Sequence, residues 1–237
     1  MRIDKLLSEC GLATRKQAAE LAKRGELFIN GKQQKRADAH VDEQNDEIIL
    51  CGKRVTYEKF VYVMLNKPSG YISATEDSSL PVVTELLPLE LQKRGLFPCG
   101  RLDRDTLGLM ILTNDGQLSH RLLSPRHHVS KVYRFECEFP LSPDAEDAFA
   151  RGMQIDGGDV CQGSTLVCDE GRMSGRVTLV EGKYHQVKRM FLAMDNKITY
   201  LERIEFATIP LDPSLERGQW RYCTKEETEI LQSFMPK

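Results

Sequence analysis

Residues 100–113 read GRLDRDTLGLMILT and carry the main clue to the fold. The second half, GLMILT, is an apolar run of the kind that forms a buried β-strand. Directly before it, Arg101, Asp103, Arg104 and Asp105 place two acids and two bases at one end of this predicted strand. A charged turn with surface ion pairs is one interpretation of this cluster, and a catalytic carboxylate held by a cation is the other.

Strand and helix patterns alternate irregularly on both sides of this segment. Predicted strands lie in FVYVMLNKPSG, KVYRFECEF, GRVTLVEG and ITYLERIEF, and predicted helices in VVTELLP, GQLSHRLL, SPDAEDAFARGM, HQVKRMFLAM and TKEETEILQSF. Ser142 is the predicted N-cap of the third helix, and Thr224 with Glu227 forms a predicted capping box in the last. Regular βαβ spacing is absent, so we predict an α+β fold with a mixed, largely antiparallel sheet flanked by helices.

The first 58 residues indicate a small separate α/β domain. A helix is expected before Gly11, and Thr14 with Gln17 predicts a capping box for a second helix. The segment ELFING then predicts a strand that enters a turn at Asn30 and Gly31. We therefore expect one domain over 1–58 and a larger one over 59–237.

Composition limits the class of protein. The chain has 237 residues, 41% hydrophobic and 29% charged, with a net charge of -2, as is typical of a soluble globular protein. No apolar run is long enough for a membrane span, and the charged N-terminus does not indicate a signal peptide. The seven cysteines contain no CxxC pair, which favours a reducing cytoplasm. His127 and His128 lack a third ligand, so no metal is expected. We also expect a monomer.

Basic residues are concentrated near the N-terminus. Residues 1–36 hold nine Lys or Arg against four Asp or Glu. A solvated helical surface and a phosphate-binding face both fit this excess. The candidate phosphate-binding residues are Arg2, Lys5, Arg15, Lys16 and Arg24.

Two family resemblances favour RNA as the partner. Residues 1–55, with TRK between the predicted helices and RGELFING after them, resemble the S4 RNA-binding domain. The segments NKPSGY, GRLDRDTLGL, KVYRFE and EGKYHQVKRMF resemble, in the same order, the signatures of the RsuA-type pseudouridine synthases. Together the two resemblances cover nearly the whole chain.

The second resemblance implies the roles of individual residues. Asp103 is the implied catalytic carboxylate, Lys188 the cation that pairs with it, Tyr133 the active-site tyrosine, and Arg101 the residue that holds the flipped nucleotide open. Isomerisation of uridine adds no atoms, so no cofactor is expected. Asp105 is left without a catalytic role and is expected in a turn, paired with Arg104. The further expected RNA contacts are Arg126, Lys131 and Arg189.

The substrate is expected to be ribosomal RNA. The segment LLSPRHHVSKVYRFE is most similar to the branch that acts on the small subunit, which implies a uridine in the 530-loop region of 16S rRNA. A site in 23S rRNA is the first alternative. Two others come from different classes: a non-catalytic RNA-binding assembly factor, and a phosphatase that uses Asp103 and Asp105 as a DxD pair.

Overall fold

The computed structural model describes residues 1–235, which form two compact units. The first unit contains Met1–Val61 together with Leu87–Leu96, and the second contains Tyr62–Leu86 and the chain from Phe97 onward. The return of Leu87–Leu96 to the N-terminal unit was not predicted, and the division after residue 58 stays a proposal. Among the described residues, no helix is long and apolar enough to cross a membrane.

The N-terminal unit packs helices against a small antiparallel sheet. Its elements are α1 (Ile3–Glu9), α2 (Arg15–Lys23), β1 (Leu27–Ile29), β2 (Lys32–Gln33), β3 (Ile48–Leu50), β4 (Lys53–Val55) and α3 (Leu89–Lys93). The sheet order is β2-β1-β3-β4. The predicted Thr14–Gln17 capping box is confirmed, since each side chain bonds the backbone N–H of the other. The predicted turn lies between β1 and β2, with positive φ at Asn30 and Gly31.

The larger unit is built on one nine-stranded sheet and a separate two-stranded sheet. The strands of the large sheet are β5 (Tyr62–Lys67), β6 (Phe97–Pro98), β7 (Leu107–Thr113), β8 (Lys131–Cys137), β11 (Thr165–Cys168), β12 (Ser174–Leu179), β13 (Ile198–Phe206), β14 (Ile209–Pro210) and β15 (Trp220–Tyr222), and the small sheet pairs β9 (Met153–Gln154) with β10 (Val160–Cys161). The helices of the larger unit are α4 (Gly116–Leu123), α5 (Ala145–Arg151), α6 (Gln186–Leu192) and α7 (Lys225–Gln232), and 3-10 turns cover Val83–Leu86, Pro125–His127 and Asp156–Gly158.

The strand order of the large sheet is β11-β12-β8-β13-β7-β5-β15. Of its described pairings only β13 with β7 is parallel, so the predicted mixed and largely antiparallel α+β fold is confirmed. The Thr224–Glu227 capping box of α7 is confirmed as well. The predicted N-cap Ser142 is wrong: α5 begins two positions later than expected, with Asp144 as its N-cap.

The parallel pairing of β7 with β13 brings the GRLDRDTLGL segment, residues 100–109, to the centre of the sheet. Gly108 of β7 lies opposite Arg203 of β13, and on the other side of β13 the same Arg203 lies opposite Tyr133 of β8. Gly108 has φ +97°, and a Cβ there would lie 2.3 Å from the Arg203 carbonyl oxygen. Only glycine allows the two backbones to approach this closely. The GRLDRDT loop therefore ends beside the strands that carry Tyr133 and Arg203.

Candidate active site

A cavity of about 870 Å³ opens over the centre of this sheet. Asp103 and Arg101, from the loop before β7, line it together with Tyr133 of β8 and Lys188 of α6. The structure thus brings to one cavity the four residues for which the resemblance implies an active-site role. A cavity of this size, lined by a few convergent polar groups, is typical of a ligand site.

Asp103 and Lys188 form an ion pair inside the cavity. Lys188 Nζ lies 3.0 Å from Asp103 Oδ2, and the two side chains are 23% and 25% exposed. The same ammonium lies 2.5 Å from Asp105 Oδ1. Burial disfavours the charged form of Lys188, but the hydrogen bonds and charges of the two aspartates outweigh burial and raise its pKa. Lys188 is therefore held as a cation between two carboxylates.

Asp105 lies in a turn, as predicted, but its ion-pair partner differs from the predicted one. Its carboxylate pairs with Lys188, while the Arg104 guanidinium donates to the Gly70 carbonyl oxygen at 3.2 Å. Burial raises the pKa of Asp105, but the hydrogen bond and charge of Lys188 more than offset this and leave the pKa lowered. Asp105 remains 71% exposed, whereas Asp103 faces the cavity. Both carboxylates therefore pair with Lys188, but Asp105 is exposed to solvent and Asp103 lies in the cavity.

His185 contacts the other oxygen of the Asp103 carboxylate. Its Nε2 lies 3.4 Å from Asp103 Oδ1. His185 is the N-cap of α6 and has left-handed backbone angles, φ 49° and ψ 33°. Such a conformation is uncommon outside glycine and is typical of functional sites. The Asp103 carboxylate thus lies between an imidazole on one oxygen and an ammonium on the other.

Lys67 supports the Asp103 loop from beneath. It is fully buried at the end of β5, and its ammonium donates to the carbonyl oxygens of Asp103 at 3.0 Å, Arg104 at 3.2 Å and Thr106 at 2.8 Å. Burial lowers the pKa of Lys67 to about 8, although the charges of Asp105 and Asp103 act in the opposite direction. Lys67 positions the loop without facing solvent.

Lys131 lies in the wall of the cavity. It is 8% exposed and donates to the Val129 carbonyl oxygen at 2.9 Å. Burial, and next the charge of Arg203, lower the pKa of Lys131 to about 8. Lys131 thus lies in the cavity lining, and its contact with RNA stays a prediction. Arg203 is 1% exposed, and its Nε donates to the Leu109 carbonyl oxygen at 2.8 Å.

Arg189 is held by contacts within the protein. Its guanidinium binds the carboxylates of Asp156 and Asp159 and the carbonyl oxygens of Asp156 and Tyr184, and only 13% of the side chain is exposed. These contacts fasten α6 to the Asp156–Gly158 turn, and the expected contact of Arg189 with RNA stays a prediction.

The remaining predicted RNA contacts lie on the surface. Arg126 is exposed in the Pro125–His127 turn, and Arg15, Lys16 and Arg24 are exposed around α2. Arg2 and Lys5 are exposed too, but each has an acidic neighbour, Asp4 at 2.7 Å and Glu9 at 3.6 Å. None of the described residues places a carboxylate within 4.0 Å of Arg15, Lys16 or Arg24. Those three cations are available to phosphates.

Two residues that support the site, Lys67 and Arg203, were not predicted from the sequence. Lys67 belongs to the quoted NKPSG segment, and a single lysine at the end of an apolar strand is a usable signal for a buried cation. Arg203 gave a similar signal within ITYLERIEF, but an arginine in an alternating strand more often faces solvent. Both side chains bond to backbone carbonyl oxygens of distant segments, and sequence patterns do not show such bonds.

Comparison with known proteins identifies the family of both domains. The family model described as RNA pseudouridylate synthase matches residues 61–193, and the S4 domain model matches residues 1–48. A Bacillus subtilis (strain 168) protein called uncharacterized RNA pseudouridine synthase YtzG is 42% identical over 234 residues, which cover 98% of each chain. Ribosomal small subunit pseudouridine synthase A of Vibrio parahaemolyticus is 38% identical over 231 residues, covering 97% of this chain and 98% of that one.

A solved structure gives the same result in three dimensions. The crystal structure of a pseudouridylate synthase superposes with a TM-score of 0.69 at 36% sequence identity, and the match covers 98% of this chain and 99% of that chain. The fold and the matched domains define an RNA pseudouridine synthase, an isomerase, with an S4 domain at its N-terminus. The chain belongs to the RNA pseudouridylate synthase family and is of the RsuA type.

Proposed function

We propose that the chain converts one uridine of small-subunit ribosomal RNA, in the 530-loop region of 16S rRNA, to pseudouridine with Asp103 as the essential carboxylate. The observation that carries the proposal is the Asp103–Lys188 ion pair, 3.0 Å long, in a cavity also lined by Tyr133 and Arg101. The small-subunit target rests on the SPRHH segment and on relatives named ribosomal small subunit pseudouridine synthase A.

The reaction needs a carboxylate at the sugar. The bond from uracil N1 to C1′ breaks, the base turns, C5 bonds to C1′, and the proton lost from C5 is balanced by one gained at N1. Asp103 either attacks C1′ or removes a sugar proton, and in both cases it must be ionised. The Lys188 ammonium lies 3.0 Å from the Asp103 carboxylate and balances its negative charge. Both routes leave the enzyme unchanged at the end.

The other cavity residues act on the flipped nucleotide. The uridine must leave its stack to reach Asp103, at a cost of a few kcal/mol that favours loops and loosely paired sites. Arg101 is exposed at the rim, where it keeps the nucleotide out of the stack. Tyr133, 8% exposed on β8, offers a ring to the uracil and a hydroxyl towards C5.

The N-terminal domain supplies sequence-independent contacts. The exposed cations Arg15, Lys16 and Arg24 bind phosphates, while the cavity selects the uridine. We place the domain division at 1–58 and 59–237, and we propose that the enzyme works as a monomer in the cytoplasm during ribosome biogenesis.

The test is a reaction with purified components. Wild-type protein and Asp103→Asn are incubated separately with unmodified 16S and 23S rRNA transcripts and with small subunits reconstituted from the 16S transcript, and pseudouridine is mapped at single-nucleotide resolution. We expect one new pseudouridine in the 530-loop region with the wild type and none with the variant. Modification of the 23S transcript alone would show that the target lies in 23S rRNA and not in 16S rRNA. Equal modification by wild type and Asp103→Asn would exclude Asp103 as the essential residue.

A further inference from the structure

Tyr184 presents an unburied aromatic ring at the rim of the active-site cavity. It is 71% exposed, the highest value among the exposed large hydrophobic side chains of residues 1–235. Its neighbours in the cavity lining include His185 and Asp103. Single exposed apolar side chains are common on proteins and need no explanation by themselves. The surroundings of Tyr184 distinguish it from other exposed apolar side chains.

The Tyr184 ring is stacked on the imidazole that contacts the catalytic carboxylate. The centroids of the Tyr184 and His185 rings are 3.8 Å apart, with 20° between the ring planes. His185 in turn lies 3.4 Å from Asp103. The two rings therefore form a short stack that begins beside Asp103 and ends at an exposed aromatic face.

The segment that carries the stack is braced from several sides. The Tyr184 carbonyl oxygen accepts a hydrogen bond from Arg189 at 3.1 Å, and Arg189 is fixed by Asp156 and Asp159. The backbone N–H of Lys183 donates to the Gln186 side chain at 2.9 Å. A ring held in place before binding loses less conformational entropy when a ligand packs against it.

The charges around the rim fit a nucleic acid. Arg101 and Lys183 line the same cavity as Tyr184; Arg101 is exposed, and Lys183 is partly exposed with Glu181 4.0 Å from its ammonium. Aromatic faces beside cations are the usual means of binding unstacked RNA bases, because the ring stacks on the base while the cations meet the phosphates. An apolar protein partner would not require this arrangement of charge.

Removal of the uridine from its stack leaves a neighbouring base with one uncovered face. We propose that the exposed face of Tyr184 stacks on this neighbouring base, so that Tyr184 binds RNA at the nucleotide adjacent to the target uridine. This inference rests on the proposed function and adds a binding position to the same site. The stack through His185 then links correct placement of the RNA to the position of Asp103.

The experiment distinguishes the contribution of the Tyr184 ring from that of its hydroxyl, and an effect on RNA binding from an effect on catalysis. Tyr184→Phe, Tyr184→Ala and wild type are compared on synthetic fragments of the 16S 530-loop region that carry 2-aminopurine on the 5′ or the 3′ side of the proposed uridine. Steady-state kinetics give KM and kcat, and 2-aminopurine emission reports stacking in the complex. Tyr222→Ala is the matched control, because Tyr222 is 53% exposed on β15 outside the cavity lining.

We expect Tyr184→Ala to raise KM by about tenfold to a hundredfold, the usual range for loss of one base–aromatic stack, with a smaller change in kcat. With one of the two probes, emission should stay quenched in complexes of the wild type and Tyr184→Phe and rise in that of Tyr184→Ala. Tyr222→Ala should match the wild type in both measurements.

Two results would overturn the inference. One is wild-type KM and quenching in Tyr184→Ala, and the other is a Tyr184→Phe variant as impaired as Tyr184→Ala, which would make the hydroxyl the active group. Failure of the proposed function is recognised separately. It would appear as the absence of pseudouridine with wild-type protein, while the emission measurement, which needs no turnover, still decides whether Tyr184 stacks on a base.

Discussion

The ammonium of Lys188 lies 3.0 Å from the carboxylate of Asp103, although the two residues belong to different elements, a helix and the loop before β7. The helix brings the cation to a carboxylate that three backbone contacts from Lys67 hold in place through its loop. The ion pair is thus assembled by tertiary structure and not by the neighbouring Arg104, which bonds Gly70.

The positive charge at position 188 should be essential for activity, whereas the exact shape of the side chain that carries it should not. We expect Lys188→Met to lower kcat by about 10² to 10³, as is common when a fixed electrostatic group is removed from an active site. Lys188→Arg keeps the positive charge beside Asp103 and should retain most of the activity, since an electrostatic role depends on that charge. Single-turnover rates at saturating RNA measure both effects, and equal loss in the two variants would argue against a purely electrostatic role.

The two aspartates should differ sharply in importance. Asp103→Asn should abolish isomerisation and leave RNA affinity within about threefold, because Asp103 acts at the sugar and not on the phosphates. Asp105→Asn removes only the exposed partner of Lys188 and should lower kcat by less than about tenfold. Rates and filter-binding affinities of the two variants are the measurement. Equal inactivation of the two variants would make Asp105 as important to isomerisation as Asp103.

Lys67 should make stability depend on pH in the alkaline range. Its pKa falls from the ordinary 10.5 to about 8 in the folded protein, so between these values the unfolded chain binds more protons and the free energy of unfolding rises with pH. Below about pH 8 the lysine is protonated in both states and its contribution is constant. Relative to Lys67→Met, wild-type protein should gain about 2–3 kcal/mol from pH 7 to pH 10.

Urea unfolding of both proteins at several pH values measures this gain. Lys53→Met, which removes an exposed lysine of β4, is the control for the general effect of losing one lysine. A difference between wild type and Lys67→Met that stays constant over the whole range would contradict the lowered pKa of Lys67.

The cations of α2 should control affinity and its salt dependence. Replacing Arg15, Lys16 and Arg24 by alanine should reduce the slope of log affinity against log salt by about 2, because each phosphate that a cation neutralises adds about 0.7–0.9 to that slope. The value of kcat at saturating RNA should not change. Lys5→Ala is the matched control with a smaller expected effect, because Glu9 already lies 3.6 Å from the Lys5 ammonium. An unchanged slope in the triple variant would exclude phosphate binding by these three residues.

Local signals in the sequence were sufficient for much of the fold. The capping boxes at Thr14 and Thr224 involve residues three positions apart, so the sequence contains all of their chemistry. The α5 N-cap was misplaced because Ser142 and Asp144 are both residue types that favour the N-cap, and the sequence alone does not distinguish them. The return of Leu87–Leu96 to the N-terminal unit has no local signal at all.

The site likewise contains residues that local motifs identify and residues whose contacts depend on tertiary structure. The resemblance named Asp103 and Lys188 because they lie in recognisable motifs. The second partner of Lys188, Asp105, was missed because an acid two residues from another acid reads as turn chemistry. Lys131 and Arg189 were predicted only as RNA contacts, and the sequence did not show that Lys131 is buried or that Arg189 pairs with Asp156 and Asp159, about 30 residues away.

The essential role of Asp103 and the 16S target can be tested together by mapping pseudouridine in the ribosomal RNA of cells that lack this protein, with wild-type protein or Asp103→Asn supplied in turn. We expect one pseudouridine in the 530-loop region of 16S rRNA to disappear in the deletion strain, to return with the wild type and to stay absent with Asp103→Asn. A modification map that is unchanged by the deletion, or one restored by Asp103→Asn, would contradict this expectation.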